Sequence, residues 1–142
     1  MLISVQNILK TEKLSSVQLR EMPPLCSLNT YDMKYEQRDI VEINFVFPDG
    51  TSKPHPALIV SNNELQEAEG FIYLCMISSK AYNSEYNYPL SDCMLTQPMA
   101  KQSYVKCQLL VGDVERDVIR KISRMRQPYF DEVIEKIKDT IF

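Results

Sequence analysis

From Asp39 onward the apolar residues come in short runs, each closed by turn-forming residues, and only the last segment changes to helical spacing. Asp39 to Phe47 alternates, with Val41, Ile43, Phe45 and Phe47 on one face, the period of a strand. Pro48-Asp49-Gly50 then marks a turn. Pro56 to Val60 is a second run, ending at Ser61-Asn62-Asn63, and Phe71 to Ser79 is a third. Glu64 to Gly70 between them reads as a polar connection or a short helical turn. Tyr88 to Leu95 is a weaker fourth strand interrupted by Pro89, Ser103 to Val111 a fifth, and Ile119 to Met125 a short sixth. Pro128 sits where the first turn of a helix tolerates proline, and Phe130, Val133, Ile134, Ile137 and Ile141 follow at helical spacing. Five or six strands and one packing helix predict a mainly β domain: a barrel-like sheet with a C-terminal α-helix across one face.

Residues 1–37 have a different composition. They carry eight charges, four of each sign, and the helix-breaking pair Pro23-Pro24. Val5, Ile8, Leu9, Leu14, Val17 and Leu19 predict one or two short amphipathic helices, and Leu25 to Gln37 reads as linker. The chain therefore divides into an N-terminal, partly helical extension, 1–37, and a domain, 38–142.

Sixteen Lys and Arg against 19 Asp and Glu leave a net charge of −3, which disfavours a general nucleic-acid binder but allows a local basic patch. No basic start followed by a long apolar run is present, so no signal peptide is expected. No stretch approaches the roughly 18 apolar residues of a membrane span. Cys26, Cys75, Cys93 and Cys107 form no C-x-x-C, and the chain has a single histidine. Free thiols in a reducing cytoplasm, with no metal and no cofactor, are the expectation.

Four segments in order carry a resemblance. Arg38-Asp39-Ile40-Val41 resembles the "G-D-I/V" opening strand of the MazF/PemK family of bacterial toxin–antitoxin toxins, with arginine where glycine is usual. Lys53-Pro54-His55-Pro56-Ala57-Leu58-Ile59-Val60-Ser61 resembles its "R-P-A-L-V-L-S" strand. Leu74 to Ser79 is similar to its apolar strand ending in Thr or Ser, and Tyr104-Val105-Lys106-Cys107-Gln108 resembles its "V-R-C-D" strand. The closing helix fits as well. The resemblance implies a small SH3-like β-barrel that pairs with a cognate antitoxin, forms a homodimer and cuts single-stranded mRNA without a metal. The same fold also serves as a protein-directed poison in CcdB, so an inactive or protein-binding member is the alternative reading.

Metal-free RNA cleavage needs a base for the 2′-hydroxyl, an acid for the leaving 5′-oxygen, and donors for the charge developing on the phosphoryl oxygens. His55 occupies the position where the resemblance implies an arginine. An arginine is a permanent bidentate cation, whereas imidazole, with a reference pKa of about 6.5, moves protons near neutrality. Ser78 occupies the hydroxyl position expected to hold a phosphate oxygen, with Ser79 its neighbour in register. His55 and Ser78 are thus the catalytic candidates. For RNA and phosphate binding the candidates are Lys106, Gln108, Arg120, Arg124 and Tyr86. Lys106 stands where part of the family has arginine, and Gln108 where some members have an acid. Arg116, Arg120, Lys121, Arg124 and Arg126 are cations opposed within their span only by Asp117. Tyr82, Tyr86 and Tyr88 are candidates for stacking unpaired bases.

Overall fold

A computed structural model describes residues 30–142 of the chain. The helices expected before Pro23, and Cys26, lie outside the described residues. The compact unit runs from Tyr31 to Phe142. Its strands are β1 (Asp39–Val46), β2 (Ser52–Ile59), β3 (Phe71–Ser78), β4 (Asn87–Leu90), β5 (Ser103–Val114) and β6 (Val118–Arg124). A short helix α1 (Asn63–Glu69) joins β2 to β3, and α2 (Gln127–Ile141) closes the chain.

The strands form one six-stranded antiparallel sheet in the order β4-β5-β3-β2-β1-β6. The expected barrel is realised as this sheet and its C-terminal helix, and the hydrogen-bonded ladder does not close. β4 and β6 are its edges, and an isolated bridge, Leu95 to Met125, lies outside the strands. β4 is shorter than expected because the chain leaves the sheet after Leu90 for a 3₁₀ turn at Asp92–Met94. Pro89 is tolerated there because an edge strand needs no second row of N–H donors. β2 begins at Ser52, ahead of the apolar run at Pro56, because its pairing with β1 continues out to Val46–Ser52 beside the turn.

Apolar side chains are buried on both faces of the sheet. On one, α2 lays Phe130, Val133 and Ile137 over Ile40, Leu58, Cys75, Ile77, Val105 and Cys107. Each such large side chain removed from water contributes about 1.5–3 kcal/mol, so the helical spacing read from the sequence is the principal reason α2 docks. The other face gathers Val41, Ile43, Ala57, Ile59, Ile72, Leu74 and Met76, bordered by Phe45, Met33 and Tyr35. β1 therefore contributes to both cores, Ile40 to one and Val41 to the other. Cys75 and Cys107 are buried free thiols, pushed up by burial to about 12 and about 11, and Cys93 is free and exposed.

Residues 31–37, read from the sequence as the end of a linker, are tied to the domain. Gln66, buried at 1% exposure, donates from Nε2 to Tyr35 O (2.9 Å) and accepts from Ser61 Oγ (2.8 Å). Gln37 donates from its backbone to Asn63 Oδ1 (2.9 Å) and from its side chain to Val60 O (2.9 Å). Gly70, the left-handed cap of α1 at φ +68°, lies so close to Tyr31 that a Cβ would sit 2.9 Å from the ring.

Candidate functional site

The strand register opens a fork in the sheet. β1 and β2 stay paired from Ile40–Leu58 to Val46–Ser52, whereas β2 and β3 pair only from Ile59–Leu74 to Ala57–Met76. Beyond that point β2 follows β1, while Ile77 and Ser78 follow β5 through Val105 and Tyr104. Continuing the β2–β3 register past its last pair sets His55 opposite Ser78. A cleft of about 410 Å³ lies at this fork, and both residues line it.

His55 is half-buried, its ring centroid 6.2 Å from that of Phe45. Its Nδ1 lies 3.1 Å from the carbonyl oxygen of Pro56. A carbonyl can only accept, so this contact is a hydrogen bond when Nδ1 carries the proton, which leaves the Nε2 lone pair as the proton acceptor. The Ser78 hydroxyl oxygen accepts from the Lys80 backbone N–H (3.1 Å), so its own hydrogen is available to an oxygen in the cleft.

The lining is cationic on an acidic protein: Lys80, Lys101 and Arg120 against one carboxylate, Glu42. Arg120 Nη2 is 3.4 Å from Glu42 Oε2, with the guanidinium side chain 64% exposed. Lys80 and Lys101 have no ion-pair partner among the described residues. Among those residues, too, no three His, Cys, Asp or Glu side chains are grouped as metal ligands.

Residues 36–141 match the family model described as the PemK-like, MazF-like toxin of type II toxin–antitoxin systems. The chain belongs to that family. The fold is that of solved MazF structures. A MazE–MazF complex from Deinococcus radiodurans is similar at a TM-score of 0.62 and 17% identity, over 75% of this chain and 95% of that one. The Mycobacterium tuberculosis toxin MazF-mt6 is similar at a TM-score of 0.59 and 17% identity, over 72% and 95%. An endoribonuclease from a mycobacterial species, solved with its cognate antitoxin, is similar at 0.63 and 9% identity, over 75% and 94%. No curated protein sequence matches the chain.

Within this PemK/MazF-like domain, the arginine at the opening-strand glycine position has a physical account. Arg38 holds φ at +79°, the left-handed region that glycine enters without cost. Its N–H donates to Ile59 O (2.9 Å), its carbonyl accepts from Met125 N (2.8 Å), and its guanidinium donates to Met125 O (3.1 Å). Those bonds hold β2 and the end of β6 together and keep the strained residue in place.

The other sequence candidates are distributed over the molecule. Arg120 lines the cleft. Arg124 does not: its Nη1 is bound to Asp39 Oδ1 (2.8 Å) and Glu36 Oε2 (3.2 Å). Lys106 is fully buried, and its ammonium donates to Lys80 O (2.5 Å), Tyr82 O (3.1 Å) and Asn87 Oδ1 (2.9 Å). Three donors meet three acceptors, so no hydrogen remains for a phosphate. Burial also lowers its pKa. Gln108 is half-buried with its Oε1 enclosed and unpartnered. Tyr86 lies in a separate groove of about 860 Å³ with Glu85 and the α2 carboxylates Asp131, Glu132 and Glu135. The Tyr88 hydroxyl donates to Glu132, and burial and that carboxylate raise its pKa.

Glu42, Lys80 and Lys101 of the cleft were not singled out in the sequence. Glu42 carried a usable signal, being on the alternate face of β1. Lys101 comes from a loop whose path no periodicity reveals.

Proposed function

We propose that this chain is a growth-inhibiting toxin of a toxin–antitoxin system that acts as a metal-independent endoribonuclease on single-stranded RNA. The observation that carries the reading is that the only histidine of the chain and Ser78 share one cleft with three cations. His55 Nε2 takes the proton of a 2′-hydroxyl, whose oxygen attacks the adjacent phosphorus. The new 2′-O–P bond forms as the P–5′-O bond breaks, and the 5′-oxygen takes up a proton from the imidazolium or from water. Arg120, Lys80 and Lys101 offset the charge growing on the phosphoryl oxygens, and Ser78 donates to one of them. The products are a 2′,3′-cyclic phosphate and a 5′-hydroxyl.

A cognate antitoxin belongs to the same reading, supported by the family and by the antitoxin complexes among its structural relatives; a homodimeric state is part of the proposal. The test is cleavage of single-stranded RNA by the purified full chain over a pH series, with EDTA present. Activity that depends on His55 and persists in EDTA is expected. The alternative, a protein-binding or inactive member of this fold, is favoured by Gln108, which cannot accept a proton as an acid at that position would. Growth arrest that survives His55→Ala decides for a protein target.

A further inference from the structure

Lys106 is a charge placed inside the protein with no carboxylate among its partners. Its three hydrogen bonds end on Lys80 O, Tyr82 O and Asn87 Oδ1, and its Nζ lies 4.2 Å from the Tyr82 ring centroid and 5.8 Å from that of Tyr104. Asn87 faces Lys106 directly across the β4–β5 ladder and is 5% exposed. Its amide nitrogen donates to Ala81 O (3.2 Å) and Tyr82 O (3.3 Å), so the pair holds three consecutive carbonyls, those of Lys80, Ala81 and Tyr82.

This loop is the continuation of β3 beyond Ser78, and Lys80 takes part in both sets of bonds. Its carbonyl accepts from Lys106, and its N–H donates to the Ser78 hydroxyl. The buried ammonium is therefore two hydrogen bonds from the hydroxyl that lines the cleft. A neutral side chain at 106 would leave carbonyls unpaired. A carboxylate partner would compete for the ammonium and leave the loop unheld.

We propose that Lys106, with Asn87, is a positioning residue: a buried clamp on the Lys80–Tyr82 loop that sets the Ser78 hydroxyl and the Lys80 side chain at the cleft. The role in catalysis rests on the nuclease reading above; the clamp itself does not. It also separates Lys106 from a direct phosphate contact, which would release counterions on RNA binding and so appear in the salt dependence.

The experiment uses full-length wild type, Lys106→Met and Asn87→Ala, with three readouts. Amide hydrogen exchange reports on Ser79 to Asn83 without RNA, steady-state cleavage of a single-stranded RNA separates kcat from KM, and a salt series gives the slope of RNA binding. The clamp predicts loop exchange at least about tenfold faster in Lys106→Met. Small displacements at a reacting site cost up to about 100-fold, so kcat is expected to fall about tenfold or more, with KM within about threefold and the salt slope unchanged. Asn87→Ala should shift exchange and kcat in the same direction by less; it leaves the ammonium in place and carries the test should Lys106→Met fail to fold. Unchanged loop exchange in a folded variant overturns the clamp. A salt slope reduced by about one with exchange unchanged assigns Lys106 to phosphate instead. A wild type that cleaves no RNA overturns the nuclease reading, and the exchange measurement then decides the clamp by itself.

Discussion

Arg120 and Arg124 are four residues apart on β6, with a register shift between them, yet both are arginines of one strand and the fold uses them differently. Arg124 is bound to Asp39, a carboxylate only 3% exposed that also pairs with Lys121 (3.2 Å) and accepts from the Glu36 N–H (2.9 Å). A carboxylate that deep needs its cations, and breaking such a pair costs about 3–5 kcal/mol. Arg120 makes one long contact to a surface glutamate, the kind worth about 0–1 kcal/mol. One arginine is committed to the fold and the other is free to meet a ligand. Residue type did not distinguish them; the depth of the facing acid did.

The widest test of that division is His55→Ala. It should reduce RNA cleavage by at least about 100-fold, the general acid–base range, while the unfolding midpoint stays within error of wild type. Cleavage persisting in a clean preparation removes His55 from the chemistry. Asp39→Asn should behave in the opposite sense. Denaturant unfolding is expected to show a loss of about 3 kcal/mol, with cleavage per folded molecule unchanged.

The two arginines can then be compared directly. Arg120→Ala should weaken RNA binding and lower its salt slope by about one, with stability changed by no more than about 0.5 kcal/mol. Arg124→Ala should leave the slope alone and lower stability. An equal effect of both on the slope breaks the distinction.

Asp113 is the counterpart of Asp39, a carboxylate facing another acid. Burial first, and then Asp117, push it up to about 6, against about 3.9 for an unfolded aspartate. The folded state therefore binds more protons between these values, and stability falls as pH rises from about 4 to about 6. Asp113→Asn should gain roughly 1 kcal/mol at pH 7–8, discounted for partial exposure, and gain nothing below pH 4. Thermal melts at the two pH values check it. The smallest effect concerns Arg38. Arg38→Gly relieves the left-handed backbone and should be about 1 kcal/mol more stable than Arg38→Ala, which keeps the strain and loses the same side-chain bond. Equal stabilities would show that the backbone bonds at Ile59 and Met125 absorb the strain.

Much of the fold was legible because periodicity reports burial directly. The alternation in β1 and the helical spacing of Phe130, Val133 and Ile137 place residues on a face whatever that face meets. The opening half of β1 shows the limit of that rule, since Ile40 and Val41 are both buried and the strand reads there as continuous rather than alternating. His55 and Ser78 are candidates from local motifs that each strand carries whole, and the fold sets both at one cleft.

The fates of the lysines and arginines were not. Lys106 reads as a phosphate-binding candidate until the β3–β5 register shifts between Cys75 and Ile77, and the part of β5 carrying it lies beside Asn87 and the Lys80–Tyr82 loop. Arg124 reads like Arg120 until β1 brings Asp39 beside it. The sequence by itself determined which segments are strands, which is the helix, and which side chains are chemically able to carry a proton or a positive charge, because those properties reside in single side chains and their spacing. The tertiary structure alone decided which cations are free and which are already bound. An electrostatic or hydrogen-bonding partner is a property of two positions far apart in the chain, and only register and packing bring them within reach.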